Sequence, residues 1–175
     1  MAKRARLIWV VIGALGAAAA GGGYWYITAE ARRYHFELGR EAKQAVQAGD
    51  LARAEASARE LLEMASTRSR DWNYGNALHH AHLVLGRVAL GRGDVAGARR
   101  HLLQAGRTPG SPQLNSFGPS MALARELLRK GARKPVLEYL ELCGSFWEPG
   151  KEKLARWKGA VASGAVPDFG ANTLF

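Results

Sequence analysis

A Gly-Asp pair that closes one helix-like stretch and opens another occurs at Gly49-Asp50 and again at Gly93-Asp94. A degenerate third stop follows at Lys130-Gly131. Such self-similarity constrains the fold more than any single residue does, because a repeated unit must bury its apolar face against its neighbours. The second copy is the fullest: Leu85-Gly86, Ala89, Gly93-Asp94-Val95, Ala98, Leu102, Ala105 and Pro109. The small residues Gly86 and Ala98 let two helices approach closely, and Leu85 and Leu102 fill the space between units. Gly93 supplies the left-handed conformation that ends the first helix, and Asp94 caps the second. The matching positions of the first copy are Ala42, Ala45, Leu51, Ala54, Ala58 and Leu61. Those of the third are Ala124, Leu127, Val136 and Leu140.

This pattern resembles the tetratricopeptide repeat (TPR) over roughly Glu37 to Trp147. The intervals between the three stops exceed the family period of about 34 residues. Inserts at Thr67 to Asn76 and, shorter, at Gln113 to Ser116 account for the excess. The resemblance implies an all-α fold, with about three TPR-like helical hairpins in a domain spanning 31–163. Lys151 to Ser163 is expected to cap it as a helix, with Leu154, Trp157 and Val161 on one face. Residues 164–175 read as an extended tail packed through Phe169 and Phe175. The linker Arg107 to Ser120, RTPGSPQLNSFGPS, is too rich in proline for a helix. Its wording, with Asn73 to Gly86 and the closing Pro-Asp-Phe-Gly-Ala-Asn, is also similar to a group of bacterial TPR-like proteins to which no activity attaches.

Residues 1–6 form a basic tail with Lys3, Arg4 and Arg6. Leu7 to Ile27 carries no charge and reaches the length of about 20 residues that a transmembrane helix needs. Tyr24, Trp25 and Tyr26 close it where an interfacial aromatic belt would sit. A basic start, an apolar core and small residues at Ala18 to Ala20 equally describe a cleavable signal peptide. Two expectations therefore stand: a single-pass anchor in a bacterial inner membrane with the domain facing the periplasm, or an exported soluble domain freed by cleavage.

The formal net charge is +10, which favours an acidic partner. No nucleic-acid motif accompanies that charge, and the aromatics fall at packing intervals, which argues against nucleic-acid binding. The single cysteine, Cys143, excludes an intramolecular disulfide and a Cys-based metal site; it reads as a small core residue. His79, His80 and His82 are the one cluster with ligand chemistry. His79 and His82 share a helix face, but no carboxylate lies within a turn of them. His82 falls at a packing position of the repeat frame and reads as structural, with His79 and His80 exposed; a metal-assisted enzyme is the competing expectation. His101 and His35 stand too far off in sequence to join them. Asp168-Phe169-Gly170 matches the kinase metal triplet without any other kinase element. No nucleophile constellation is present, so neither an enzyme nor a cofactor is expected.

The sharpest functional signal comes from the repeat frame. In the TPR family the first helix of each hairpin lines a concave groove, and the residue after the small position points into it. Here those residues are Lys43, Arg87 and Arg125, a basic ladder suited to an acidic protein or peptide. Val46, Leu90 and Leu128, one turn away, form an apolar strip beside it. The family's chaperone-binding carboxylate clamp does not carry over, because Gly39 stands where it needs a lysine.

Overall fold

The computed structural model describes residues 36–173. The chain divides between Glu37 and Leu38, and the architecture below is that of the unit beginning at Leu38. Eight α-helices and no strands occur among the described residues: α1 (36–47), α2 (Leu51–Ser66), α3 (Tyr74–Gly91), α4 (Val95–Gly106), α5 (Pro112–Phe117), α6 (Ala122–Arg129), α7 (Arg133–Cys143) and α8 (Lys151–Ala162). Short 3-10 turns cover Glu148–Gly150 and Gly170–Thr173. The all-α class is therefore correct. No described helix is long and apolar enough to cross a membrane, and Leu7 to Ile27 lies outside the described residues.

Three hairpins, α1–α2, α3–α4 and α6–α7, close in one way. In the second, Gly93 N–H donates to Leu90 O at 3.1 Å, Asp94 N–H to Ala89 O at 2.9 Å and Val95 N–H to Gly93 O at 3.0 Å. The same three bonds recur from Gly49, Asp50 and Leu51, and from Gly131, Ala132 and Arg133. This pairing satisfies the last carbonyls of the incoming helix and needs a left-handed residue at the glycine. Gly49, Gly93 and Gly131 have φ of 75°, 82° and 78°. The following residue also serves the outgoing helix: the Asp50 carboxylate accepts from Arg53 N–H and that of Asp94 from Gly97 N–H. Ala132 offers no such cap in the third.

Most of the residues aligned from the sequence are buried, whereas Leu51, Ala89 and Val95 are half-buried and Pro109 is exposed. Ala42, Ala45, Ala54, Ala58 and Leu61 are buried in the first hairpin, Leu85, Ala98, Leu102 and Ala105 in the second, and Ala124, Leu127, Val136 and Leu140 in the third. A Cβ added to Gly86 would meet the Ala98 carbonyl, His101 and a Leu123 methyl, so this glycine admits both its hairpin partner and the next hairpin. The continuous core runs from Leu83 through the third hairpin to Trp147, Trp157 and Phe169. Trp157 stands 5.8 Å from Trp147 and 5.1 Å, edge-on, from Phe169.

Two expectations need correction. The Arg107 to Ser120 linker does contain a helix, α5. Ser111 caps it by accepting from Leu114 N–H, and Pro112 sits in its first turn, where a missing N–H costs nothing. The tail is not simply extended: after Phe169, which is buried, it turns through Gly170–Thr173. Met121 N–H donates to Asn172 O, and Asn172 Nδ2 donates to the carbonyls of Phe117 and Pro119. The tail thus clamps the linker. Phe175 lies outside the described residues. The cap helix is present as α8, with Leu154, Trp157 and Val161 buried.

Gly86→Leu should destabilise by about 1–3 kcal/mol through overpacking against Leu123 and His101. Gly93→Val meets no side chain, yet should cost about 1–2 kcal/mol through its left-handed backbone alone. Urea unfolding of both variants checks this; wild-type midpoints for the pair would mean that the second hairpin is assembled otherwise.

Candidate functional site

Lys43, Arg87 and Arg125 sit on α1, α3 and α6, the first helices of the three hairpins, at one register from each hairpin glycine. All three are half-buried, as are Val46 and Leu90, while Leu128 is buried. The carbonyls of Val46, Leu90 and Leu128 accept from the three hairpin glycines, which sets the equivalence of the two rows. The basic residues differ in surroundings. Arg87 pairs with Glu126 at 2.9 Å. Arg125 has its Nε buried with no hydrogen-bond partner among the described residues. Burial lowers the pKa of Lys43, because a low-dielectric setting disfavours an ammonium.

The histidines are arranged otherwise than expected. His79 is fully buried. Its Nδ1–H donates to Ala105 O at 2.9 Å and its Nε2 accepts from Ser120 N–H at 3.2 Å. A carbonyl only accepts and an amide N–H only donates, so the two partners select this neutral tautomer. Tyr139, from α7, lies 6.4 Å away with its ring stacked, and its hydroxyl donates to Ser120 O at 2.7 Å. Both ring nitrogens of His79 are therefore engaged, and no lone pair is left for a metal shared with His82. His79, expected at the surface, is thus the buried member, while His80, also expected there, and His82, expected to pack, are both half-buried.

His82 pairs instead with His101, Nδ1 to Nδ1 at 3.2 Å across the hairpin. His101 stands apart in the sequence, yet folding the chain about Gly93 brings the two histidines level. Arg100 and Arg59 act on His101 and help to lower its pKa after burial, with Asp94 opposing them. Two cations beside the pair make it a poor seat for a divalent ion. Among the described residues no three His, Cys, Asp or Glu side chains gather as a metal-binding set. Cys143 is buried in the core, and burial pushes its thiol well above the usual range, so it is not poised as a nucleophile. Asp168 accepts from Gly170 N–H in a local turn.

The linker and tail enclose a cleft of about 260 Å³ against the start of α3, lined by Asn76, His79, His80, Gln113, Phe117, Ser120 and Asn172 among others. Leu114 packs inward, whereas Phe117 stands 78% exposed. Compared with protein-family models, curated proteins and solved structures, the chain matches none. Its function has to be read from its own geometry.

Burial, opposed in part by the Ala105 bond, lowers the His79 pKa to about 4, with Lys43 and His82 adding to the fall. An unfolded histidine titrates near 6.5. The unfolded chain therefore binds more protons between these values, and stability is full above about pH 6.5 and lost towards about pH 4. Loss of the whole His79 contribution is worth roughly 3 kcal/mol. His79→Asn should be less stable at neutral pH but less sensitive to acid over this window. Chemical unfolding across the pH range measures both; a wild type indifferent to pH would show that His79 is not held neutral.

Proposed function

We propose that this chain is a membrane-anchored TPR-like scaffold that binds an acidic protein or peptide partner along the face formed by α1, α3 and α6. The observation that carries the proposal is the half-buried basic residue at the same register of each first helix. Lys43, Arg87 and Arg125 are partly desolvated, and a carboxylate brought to such a site interacts more strongly than one on an open surface. Val46, Leu90 and Leu128 supply apolar contact beside them. The net charge of +10 would speed the approach of an acidic partner. Glu126 competes for Arg87 in the free protein, so binding exchanges one carboxylate for another there and brings a new one to Arg125, whose Nε has no hydrogen-bond partner among the described residues.

The anchor is Leu7 to Ile27, and the domain would face the periplasm of a bacterial inner membrane. The full-length chain should stay in the membrane pellet after alkaline washing, with Leu7 retained in the mature protein by intact mass. A soluble species beginning near Gly21 would replace the anchor with a cleaved signal and leave an exported binding domain.

Partner binding is tested with a protein captured from native membranes. The triple variant Lys43→Glu, Arg87→Glu, Arg125→Glu should lose binding while remaining folded, and Glu126→Gln should strengthen it. Wild-type affinity should fall with salt, since screening sets in over about 8–10 Å at ordinary ionic strength. Equal affinities for the wild type and the folded triple variant would reduce the ladder to a solvated basic face.

A further inference from the structure

The cleft between the linker, the tail and α3 is a built feature, because its walls are held by hydrogen bonds to the backbone. Asn172 ties the carbonyls of Phe117 and Pro119, Met121 N–H holds Asn172 O, and Tyr139 holds Ser120 O. Gly118, at φ 81°, lies so close to Trp147 that a Cβ there would collide with the indole, which fixes the path of the linker. At about 260 Å³ the cleft is smaller than the roughly 300–1,000 Å³ of a small-molecule site. It has room for one large residue.

Its polar groups point to the chemistry of that residue. His79 is fully engaged. His80 is not: its Nδ1 is buried with no hydrogen-bond partner among the described residues. An unmatched buried N–H donor is costly, so the proton belongs on Nε2 and His80 offers one N–H donor. Burial, then the charge of Lys43, holds the His80 pKa well below its ordinary value, so this imidazole stays neutral at physiological pH. The nearby lysine makes the local potential favourable to an anion. Phe117 adds an aromatic surface on the lining, most of it exposed to solvent; such a ring favours offset or edge-on contact with a second ring.

We propose that this cleft is an anchor subsite that seats one aromatic residue of the acidic peptide partner, its ring against Phe117 and an adjoining carboxylate on His80 Nε2–H. It rests on the acidic-partner reading and adds a second, shape-selective contact to it. The adjoining carboxylate can be the terminus of the peptide or a neighbouring acidic side chain.

The test uses the isotope-labelled full-length chain in detergent micelles, titrated with N-acetyl-phenylalanine, with its amide, and with acetyl-Phe-Asp-amide. One of the two carboxylate probes should produce saturable shifts at the backbone amides of Asn76, His80, Phe117, Ser120 and Asn172, and which of them binds tells a terminal carboxylate from a side-chain one. N-acetyl-phenylalaninamide should bind at least about tenfold more weakly. Phe117→Ser alters an exposed side chain, leaves the fold intact and should weaken the carboxylate probe by about tenfold; His80→Leu should do so as well. Arg87→Glu with Arg125→Glu, which spares Lys43, should leave probe binding in place, so the cleft and the ladder can fail separately. Shifts absent for both carboxylate probes, equal binding of the amide, or unchanged affinity in Phe117→Ser would each overturn the subsite.

Discussion

His79 holds the second hairpin to the third. The linker between them breaks the helical run, and broken backbone inside a protein must find partners for its N–H and C=O groups. Ser120 shows how this chain solves the problem. Its N–H reaches His79 from α3 and its carbonyl receives the Tyr139 hydroxyl from α7. A neutral imidazole carries one donor and one acceptor on a rigid ring, so His79 can also satisfy Ala105 at the end of α4. Without it, buried backbone groups at both ends of the linker would be unmatched, at about 1–3 kcal/mol each. The cleft, the position of α5 and the docking of the tail all depend on where Ser120 is held.

The apolar core is unevenly distributed around that junction. Towards the carboxyl end it is built from Tyr139, Phe146, Trp147, Trp157 and Phe169. Where α2 packs on α3, both helices bury alanines instead, Ala54 and Ala58 on α2 and Ala77 and Ala81 on α3, which allow close approach but remove little area from water. The aromatic end gives rigidity to the cleft. The alanine end carries Lys43 close to His79 and His80, so the row of basic residues and the cleft share one electrostatic neighbourhood.

The hairpins were legible in the sequence because their geometry is local. Gly93 and Asp94 encode a left-handed turn and a cap within two residues, and the alanine spacing follows from helix period alone. Helix α5 is hard to read from the sequence for the opposite reason: Pro112 looks like a breaker in a proline-rich run, although directly after Ser111 it is a helix start. The roles of His79 and His101 depend on partners distant in sequence. Ala105 and Ser120 become neighbours of His79 only after the hairpins stack, and no periodicity signals a side chain that will bond a backbone. The basic register was visible from the repeat frame, but the Glu126 partner of Arg87 was not, since it crosses from α3 to α6.

The hairpin turns have a consequence for how such a chain can vary. In the first two, the glycine belongs to the exit of one helix and the next residue already caps the following one. No residue is left over, so an extra one would break the exit bonds, the cap or both. Length changes are then confined to the opposite ends, in the 67–73 turn and the 107–121 linker. Relatives that differ in size should differ there, which would place diversification at the mouth of the cleft and leave the spacing of the basic residues within each hairpin untouched.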